Sequence, residues 1–106
     1  MEIEAIREVS KRVLGNRYRL EVADAIAGQE PGIFHARLLA DRLRLPDTKV
    51  RDELVKFAEA GLIQQLPKIR GQQDYRREDS VYWTFARELL TELRTRRPPA
   101  AISRSS

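Results

Sequence analysis

This sequence lacks the residues on which several kinds of site depend. It contains no cysteine, which excludes disulfides, thiolate zinc sites and thiol redox chemistry. The absence of cysteine also excludes a Cys–His catalytic pair, and the single histidine, His35, excludes a histidine cluster for a metal ion within one chain. Its longest apolar runs are only a few residues, too short to span a bilayer. These absences leave a small protein without thiolate or histidine-cluster metal sites and without thiol chemistry.

Motifs for catalysis are missing as well. Acidic pairs such as Asp52–Glu53 and Glu78–Asp79 are adjacent in sequence, so their side chains diverge and form no catalytic dyad. There is no phosphate-binding glycine loop and no GxSxG nucleophile motif. We therefore expect a protein that is not an enzyme, with no cofactor and no metal. The acidic start of the chain is unlike a signal peptide, which favours a cytoplasmic protein without a membrane segment.

The positive charge is concentrated at one end of the 106-residue chain. The net charge is +4, yet residues 1–93 contain equal numbers of basic and acidic residues. Residues 94–106 contain four arginines and no acid. We expect one folded domain over residues 1–95, followed by a disordered basic tail over residues 96–106. Bulk charge therefore does not by itself predict that the folded body binds nucleic acid.

Apolar periodicity and turn residues predict four helices in the first 60 residues. Gly15 suits the end of the first helix, and Pro46 interrupts the chain between the third and fourth. His35 lies where a helix begins, which favours a capping or packing role. The predicted helices cover residues 3–14, 17–27, 35–43 and 47–60, with a short extended piece at 33–34 between the second and the third.

The second half of the chain predicts a hairpin and a last helix. Residues 62–66 and 80–85 have the composition of strands, and residues 67–79 form a polar loop between them. Alternation predicts that Val81, Trp83 and Phe85 face the core. Residues 86–95 are predicted to be helical. The predicted fold class is therefore α+β, mainly α.

The segment from Leu38 to Ile63 resembles the winged helix-turn-helix domains of ArsR- and MarR-type transcriptional regulators. The resemblance rests on a Leu-Ala pair, a turn, a Val and a Leu four residues apart, and an Ala-Gly-Leu-Ile run. These residues are Leu39-Ala40, Leu43, Leu45, Val50, Leu54 and Ala60-Gly61-Leu62-Ile63. The resemblance implies a three-helix core, a β-hairpin wing and additional helices at both ends. The Cys and His ligands of metal-sensing members are missing.

The resemblance also implies where double-stranded DNA would bind. In this family the second helix of the unit, here residues 47–60, reads the major groove, and the wing, here residues 67–79, contacts DNA beside it. The polar wing residues Gln72, Gln73 and Tyr75 could add hydrogen bonds to DNA. The candidate DNA-binding residues are Thr48, Lys49, Arg51 and Asp52 on the helix and Lys68, Arg70, Arg76 and Arg77 on the wing.

Three functions remain open from the sequence. The leading hypothesis is a small sequence-specific DNA-binding transcriptional regulator. The outward acidic residues Asp52 and Glu59 would repel phosphate, which favours a winged-helix module that binds a protein partner instead. The third hypothesis is RNA or non-specific nucleic-acid binding by the basic tail.

The first and last helices also suggest a homodimer. The first helix has an apolar stripe of Ile3, Ile6, Val9 and Val13, and the last has Leu89, Leu90 and Leu93. A two-fold dimer through these stripes would match a palindromic site. The alternative is that the stripes only close the core of one chain.

Overall fold

The computed structural model describes residues 1–99, which form an α+β structure that is mainly helical. Residues 96–99 follow the last helix without regular secondary structure, and residues 100–106 of the expected tail lie outside the described residues. No helix among residues 1–99 is both long and apolar enough to cross a membrane. The elements are α1 (Ile3–Leu14), α2 (Arg19–Ala27), β1 (Ile33–His35), α3 (Ala36–Leu43), α4 (Asp47–Glu59), β2 (Ile63–Gln65), β3 (Asp74–Arg77) and α5 (Val81–Thr95).

Helix α2 lies at the centre of the core. Leu20, Val22, Ala23 and Ile26 on this helix are fully buried, and α2 packs against all four other helices. A helix that is apolar on most of its circumference is typical of a buried position. The other helices each bury one face against α2 or against a neighbour that contacts it.

Local signals determine most ends of the early helices, as predicted, although α2 begins at Arg19 rather than at residue 17. Gly15 has a φ of 89° and ends α1 in the left-handed conformation, which costs glycine little. The Nδ1 atom of His35 accepts a hydrogen bond from the backbone N–H of Leu38 at 3.3 Å, so His35 caps α3. Pro46 is the residue before the first turn of α4, which confirms the predicted break.

The three strands form one antiparallel sheet in the order β1–β3–β2. β2 and β3 form a hairpin whose tip is a two-residue turn between Ile69 and Gln72. The turn residues Arg70 and Gly71 both have positive φ, 53° and 79°, as a type I′ turn requires. β1 adds to the other edge of β3 and stacks Phe34 on Tyr75, with 6.0 Å between the ring centroids.

The prediction of a strand at residues 80–85 is wrong, because α5 begins at Val81. The second strand of the hairpin is β3, so the connection between the two strands is shorter than the predicted loop 67–79. The Ser80 hydroxyl accepts a hydrogen bond from the N–H of Tyr82 at 3.1 Å and caps the helix. The aromatic and β-branched residues here favour a strand locally, and packing on the core overrides that preference.

Helical geometry also changes which of these side chains reach the core. Trp83 is buried, and its indole Nε1–H donates to the carbonyl of Glu78 at 2.7 Å. Phe85 was predicted to be inward, but 42% of it is exposed, and Val81 is 88% exposed. The buried residues of α5 follow the helical period as Trp83, Ala86, Leu90 and Leu93.

Candidate nucleic-acid interface

A groove of about 610 Å³ lies between the N-terminus of α3, the exposed side of α4 and the β2–β3 hairpin. We refer to it as the interface groove. Residues that are far apart in the sequence meet there, because the hairpin folds back beside α4. Its lining residues are His35, Ala36 and Arg37 from the start of α3, Asp47, Arg51 and Val55 from α4, and Gln65, Lys68, Arg70, Gly71, Gln72, Gln73 and Tyr75 from the hairpin.

The interface groove has four basic side chains and one acidic side chain in its lining. Arg37 and Arg51 each form a long, exposed ion pair one helical turn away, at 3.6 Å with Asp41 and 3.8 Å with Asp47. Pairs of this kind contribute little stability and can rearrange to accept another anion. Lys68 and Arg70 form no ion pair within residues 1–99. The groove therefore presents a net positive charge that is available to an anionic ligand.

The first turns of α4 continue this surface. Thr48, Lys49 and Asp52 are exposed on α4 but do not line the interface groove. Pro46 provides no side-chain cap, and the carboxylate of Asp47 in the first turn partly compensates the positive end of the helix dipole. Val55 is 51% exposed and extends the surface along α4. Of the eight residues predicted to bind DNA, the structure brings Arg51, Lys68 and Arg70 together in the interface groove. Thr48, Lys49 and Asp52 lie beside that groove on α4.

Arg76 lies on the other side of the hairpin from the interface groove. Successive strand residues point to opposite faces of a sheet, and its neighbour Tyr75 lines the groove. The Arg76 guanidinium donates to the side-chain oxygen of Gln64 across the strand pair, and it lies 3.6 Å from the Glu78 carboxylate. The structure does not bring Arg76 to the other candidate residues.

Arg77 is held by the end of α2. Its Nη1 atom donates to the carbonyls of Ile26 at 2.8 Å, Ala27 at 3.1 Å and Gln29 at 2.7 Å. Its side chain is only 19% exposed. A cation that satisfies the last carbonyls of a helix stabilises the negative end of the helix dipole. Arg77 therefore links the sheet to the core. It does not line the interface groove.

The glutamines of the hairpin hydrogen-bond to each other and to nearby backbone and side-chain groups. The Gln65 side-chain amide donates to the side-chain oxygen of Gln73 at 2.9 Å, and the Gln73 amide donates to the Asp74 carbonyl at 3.0 Å. The Gln72 amide donates to the Asp74 carboxylate at 2.9 Å. These bonds order the wall of the groove that carries Lys68 and Arg70.

A buried ion pair positions α4, and sequence reasoning missed it. The Glu53 side chain is 1% exposed, and its Oε1 atom accepts from Arg19 Nε at 2.7 Å. Arg19 also donates to the Leu14 carbonyl at the end of α1. A buried carboxylate needs such a partner because the core cannot solvate it. The signal was a glutamate among the inward residues Val50, Leu54 and Phe57.

Arg37 is the second residue that sequence reasoning missed. It lies in the first turn of α3 and points into the interface groove. Its neighbours Ala36 and Leu39 are buried, which leaves Arg37 on the outer side of the helix. Reading the helix as a wheel, with Leu39 inward, would have indicated an outward position but not the hairpin opposite.

No protein-family model, curated protein or solved structure matches this chain. The interface groove is therefore interpreted from its own geometry and charge. Three elements contribute to it, and each carries at least one basic side chain. This arrangement suits a long polyanion better than a small neutral ligand.

Proposed function

We propose that this chain is a winged helix-turn-helix protein that binds double-stranded DNA in a sequence-dependent way and acts as a transcriptional regulator. The order α2, β1, α3, α4, β2 and β3 supports the proposal, because it contains three helices followed by a β-hairpin, as the sequence resemblance implies. The position of β1 beside β3 also supports it, since that pairing anchors the hairpin next to α4. In this reading the hairpin is the wing.

One observation carries the proposal, namely the net positive interface groove between an exposed helix and a hairpin. The major groove of DNA admits an α-helix, and phosphates border it on both sides. With α4 in the major groove, Arg51 can bind guanine in a bidentate manner, and Asp52 can accept from the amino group of cytosine. Lys68 and Arg70 then lie where the wing meets the backbone or the minor groove.

The other exposed residues of α4 take supporting roles. Thr48 and Lys49 lie in the first turn, where a hydroxyl and an ammonium group suit a phosphate. Arg37 approaches the same duplex from the start of α3. Phosphate contacts determine the register, and Arg51 and Asp52 supply the sequence preference.

The proposal is tested by selecting bound sequences from a pool of random duplex DNA and titrating salt. Lys68→Gln should weaken binding for all sequences and reduce the salt slope by about one, since one phosphate contact is lost. Arg51→Gln should change the selected sequence. The matched controls are Lys11→Gln and Arg12→Gln, because both residues are exposed on α1 away from the interface groove. Binding that is absent, or equally weakened by the controls, contradicts the proposal.

A winged-helix module for a protein partner is the second candidate. It is favoured by Val55, which is 51% exposed, and by the exposed acids Asp52 and Glu59 on the same helix. An apolar side chain between acidic groups suits a protein surface better than a phosphate backbone. Weak duplex binding without sequence enrichment, together with a partner whose capture is lost in Val55→Asp, would favour this candidate.

RNA or non-specific nucleic-acid binding by the basic tail remains a third proposal. In that case deletion of residues 96–106 abolishes binding.

A homodimer is a further part of the proposal. Within the chain, Ile6, Leu90 and Leu93 are buried, so these parts of the two predicted stripes already belong to the core. The exposed apolar residues of the two helices are Ile3 and Val13 on α1 and Val81 and Phe85 on α5, and the half-buried Leu89 follows Phe85 after one helical turn. Sedimentation equilibrium should give a dimer that Phe85→Glu converts to a monomer. A monomer at all concentrations would contradict dimerisation without affecting the groove.

A further inference from the structure

A second cleft of about 350 Å³ lies at the C-terminal end of α3, the opposite end from the interface groove. Helices α1, α2 and α5 also contribute to it. We refer to it as the arginine cleft. Its apolar floor consists of Ile3, Leu43 and Leu90, and its basic rim consists of Arg42, Arg44 and Arg94.

The charges of the arginine cleft are only partly compensated. A fourth arginine, Arg7, is neutralised by Glu21, with Arg7 Nε 2.6 Å from Glu21 Oε1. Asp24 lies 3.7 Å from Arg87, and burial raises the pKa of its carboxyl group while Arg87 and Arg94 oppose that rise. Arg42 and Arg44 form no ion pair within the part of the chain that the structure describes. The rim is therefore open to an outside anion.

The backbone of Arg44 is unusual for an arginine. Its φ is 56°, in the left-handed region where glycine and asparagine are favoured at the end of a helix. Among residues 1–99, Arg44 and Arg70 are the only residues other than glycine that have a positive φ. Arg70 lies at the tip of the hairpin and lines the interface groove. Neither the helix end at position 44 nor the hairpin turn at position 70 requires an arginine. A strained residue of this kind points to a role for its side chain.

We propose that the arginine cleft binds an acidic segment of a partner protein, with an apolar side chain on the floor and flanking carboxylates on the rim. Arginine pairs well with carboxylates because its planar fork donates two parallel hydrogen bonds. The apolar floor has no counterpart in a phosphate backbone. The site thus adds a protein partner at the opposite end of α3 from the groove proposed for DNA.

The local electrostatics also favour carboxylates over a duplex. Glu21 and Asp24 line the same cleft, and the C-terminal end of α3 contributes the negative end of its dipole. These groups reduce the net charge below that of the interface groove, which has one acid in its lining. Separate carboxylates can settle beside individual arginines, whereas a continuous line of phosphates would also approach the two acids.

The test uses the full chain and a fluorescent library of short peptides, each with aspartate and glutamate flanking a central leucine. Anisotropy measures affinity, and amide chemical shifts locate the peptide. Arg42→Gln/Arg44→Asn should weaken binding about tenfold or more, as expected for the loss of charge-assisted hydrogen bonds. Because asparagine suits the positive φ at position 44, this variant should stay folded. The matched control is Lys11→Gln/Arg12→Gln, which removes the same charge from α1.

Each outcome decides for or against the arginine cleft. Shifts at Ile3, Leu43 and Arg94, with weaker binding in the cleft variant only and when the central leucine is replaced by serine, support it. No binding by any library member, equal weakening in the control, or shifts at Arg51 instead would overturn it. Loss of duplex DNA binding in the cleft variant, with peptide binding unchanged, would make the cleft a phosphate site. The proposal is independent of whether the interface groove binds DNA.

Discussion

Replacing Arg70 with asparagine should make the protein more stable and a weaker DNA binder at the same time. Arg70 is the first of the two residues at the tip of the hairpin, with a φ of 53°. Its side chain is exposed and lines the interface groove. The backbone at this position favours a different residue, whereas the proposed function needs the arginine. The two effects of one substitution therefore have opposite signs.

The expected gain in stability comes from the backbone. An L-residue other than glycine in the left-handed region costs about 1–2 kcal/mol, and asparagine tolerates that region better than arginine does. Arg70 forms no ion pair within residues 1–99, so the substitution removes little that stabilises the fold. We expect a gain of about 1 kcal/mol in the free energy of unfolding. For a domain of this size that is a rise of about 4–8 °C in Tm, measured by thermal and urea denaturation.

The expected loss in DNA binding comes from the charge. Removal of one cation from a phosphate contact should reduce the slope of log K against log salt by about one. At moderate salt, affinity for the selected duplex should fall by roughly three- to tenfold. Anisotropy titrations at several salt concentrations measure both quantities.

Arg44→Asn is the control for the backbone effect. Arg44 has a φ of 56°, close to that of Arg70, but it lies in the arginine cleft rather than the interface groove. It should raise stability by a similar amount and leave DNA binding unchanged. A loss of stability in Arg70→Asn would refute the argument from backbone strain. Unchanged DNA affinity and salt slope would remove the hairpin tip from the proposed interface.

Three further substitutions test the fold around the site. Arg19→Met should destabilise the protein by about 2–4 kcal/mol, because the 1% exposed Glu53 loses its main partner and keeps only Lys56 at 3.5 Å. In urea denaturation the control Arg17→Met should cost less than about 1 kcal/mol. Equal losses in the two variants would contradict the role of burial. Asp24→Asn should stabilise the protein at neutral pH, because burial raises the pKa of Asp24 above its ordinary value of 3.8 and ionisation therefore opposes folding. That advantage should shrink as pH falls toward about 4, and stability curves in which it grows instead would show the reverse sign. Ser80→Ala should cost about 1 kcal/mol by removing the cap of α5, whereas Ser80→Asp should retain most of the stability in the same thermal melts.

The helices of the first half could be predicted because their signals are local. Gly15, His35 and Pro46 each act on the backbone within a few residues, and the apolar period of α4 identified its buried face. Trp83 belongs to a segment where local signals conflict. Its neighbours alternate like a strand, while its own spacing from Ala86 follows a helix, and packing against the core resolved the conflict.

The candidate site was predicted only in part, because its second wall depends on strand register. The second strand of the hairpin is 74–77 rather than the predicted 80–85, and this difference changes which residues share a face of the sheet. Lys68 and Arg70 lie near the tip of the hairpin and line the interface groove. Arg76 and Arg77 lie on the strand itself, so pairing with β1 and β2 decided their directions.

The sequence alone determined the mainly helical α+β class, the helix ends of the first half and the neutral charge of the body. These properties follow from composition and from interactions between residues three or four positions apart. Only the tertiary structure decided that Arg77 holds the end of α2, across 51 residues, and that Arg19 pairs with Glu53, across 34. Such contacts form only after the chain has folded back on itself, and helix period and turn chemistry carry no information about them.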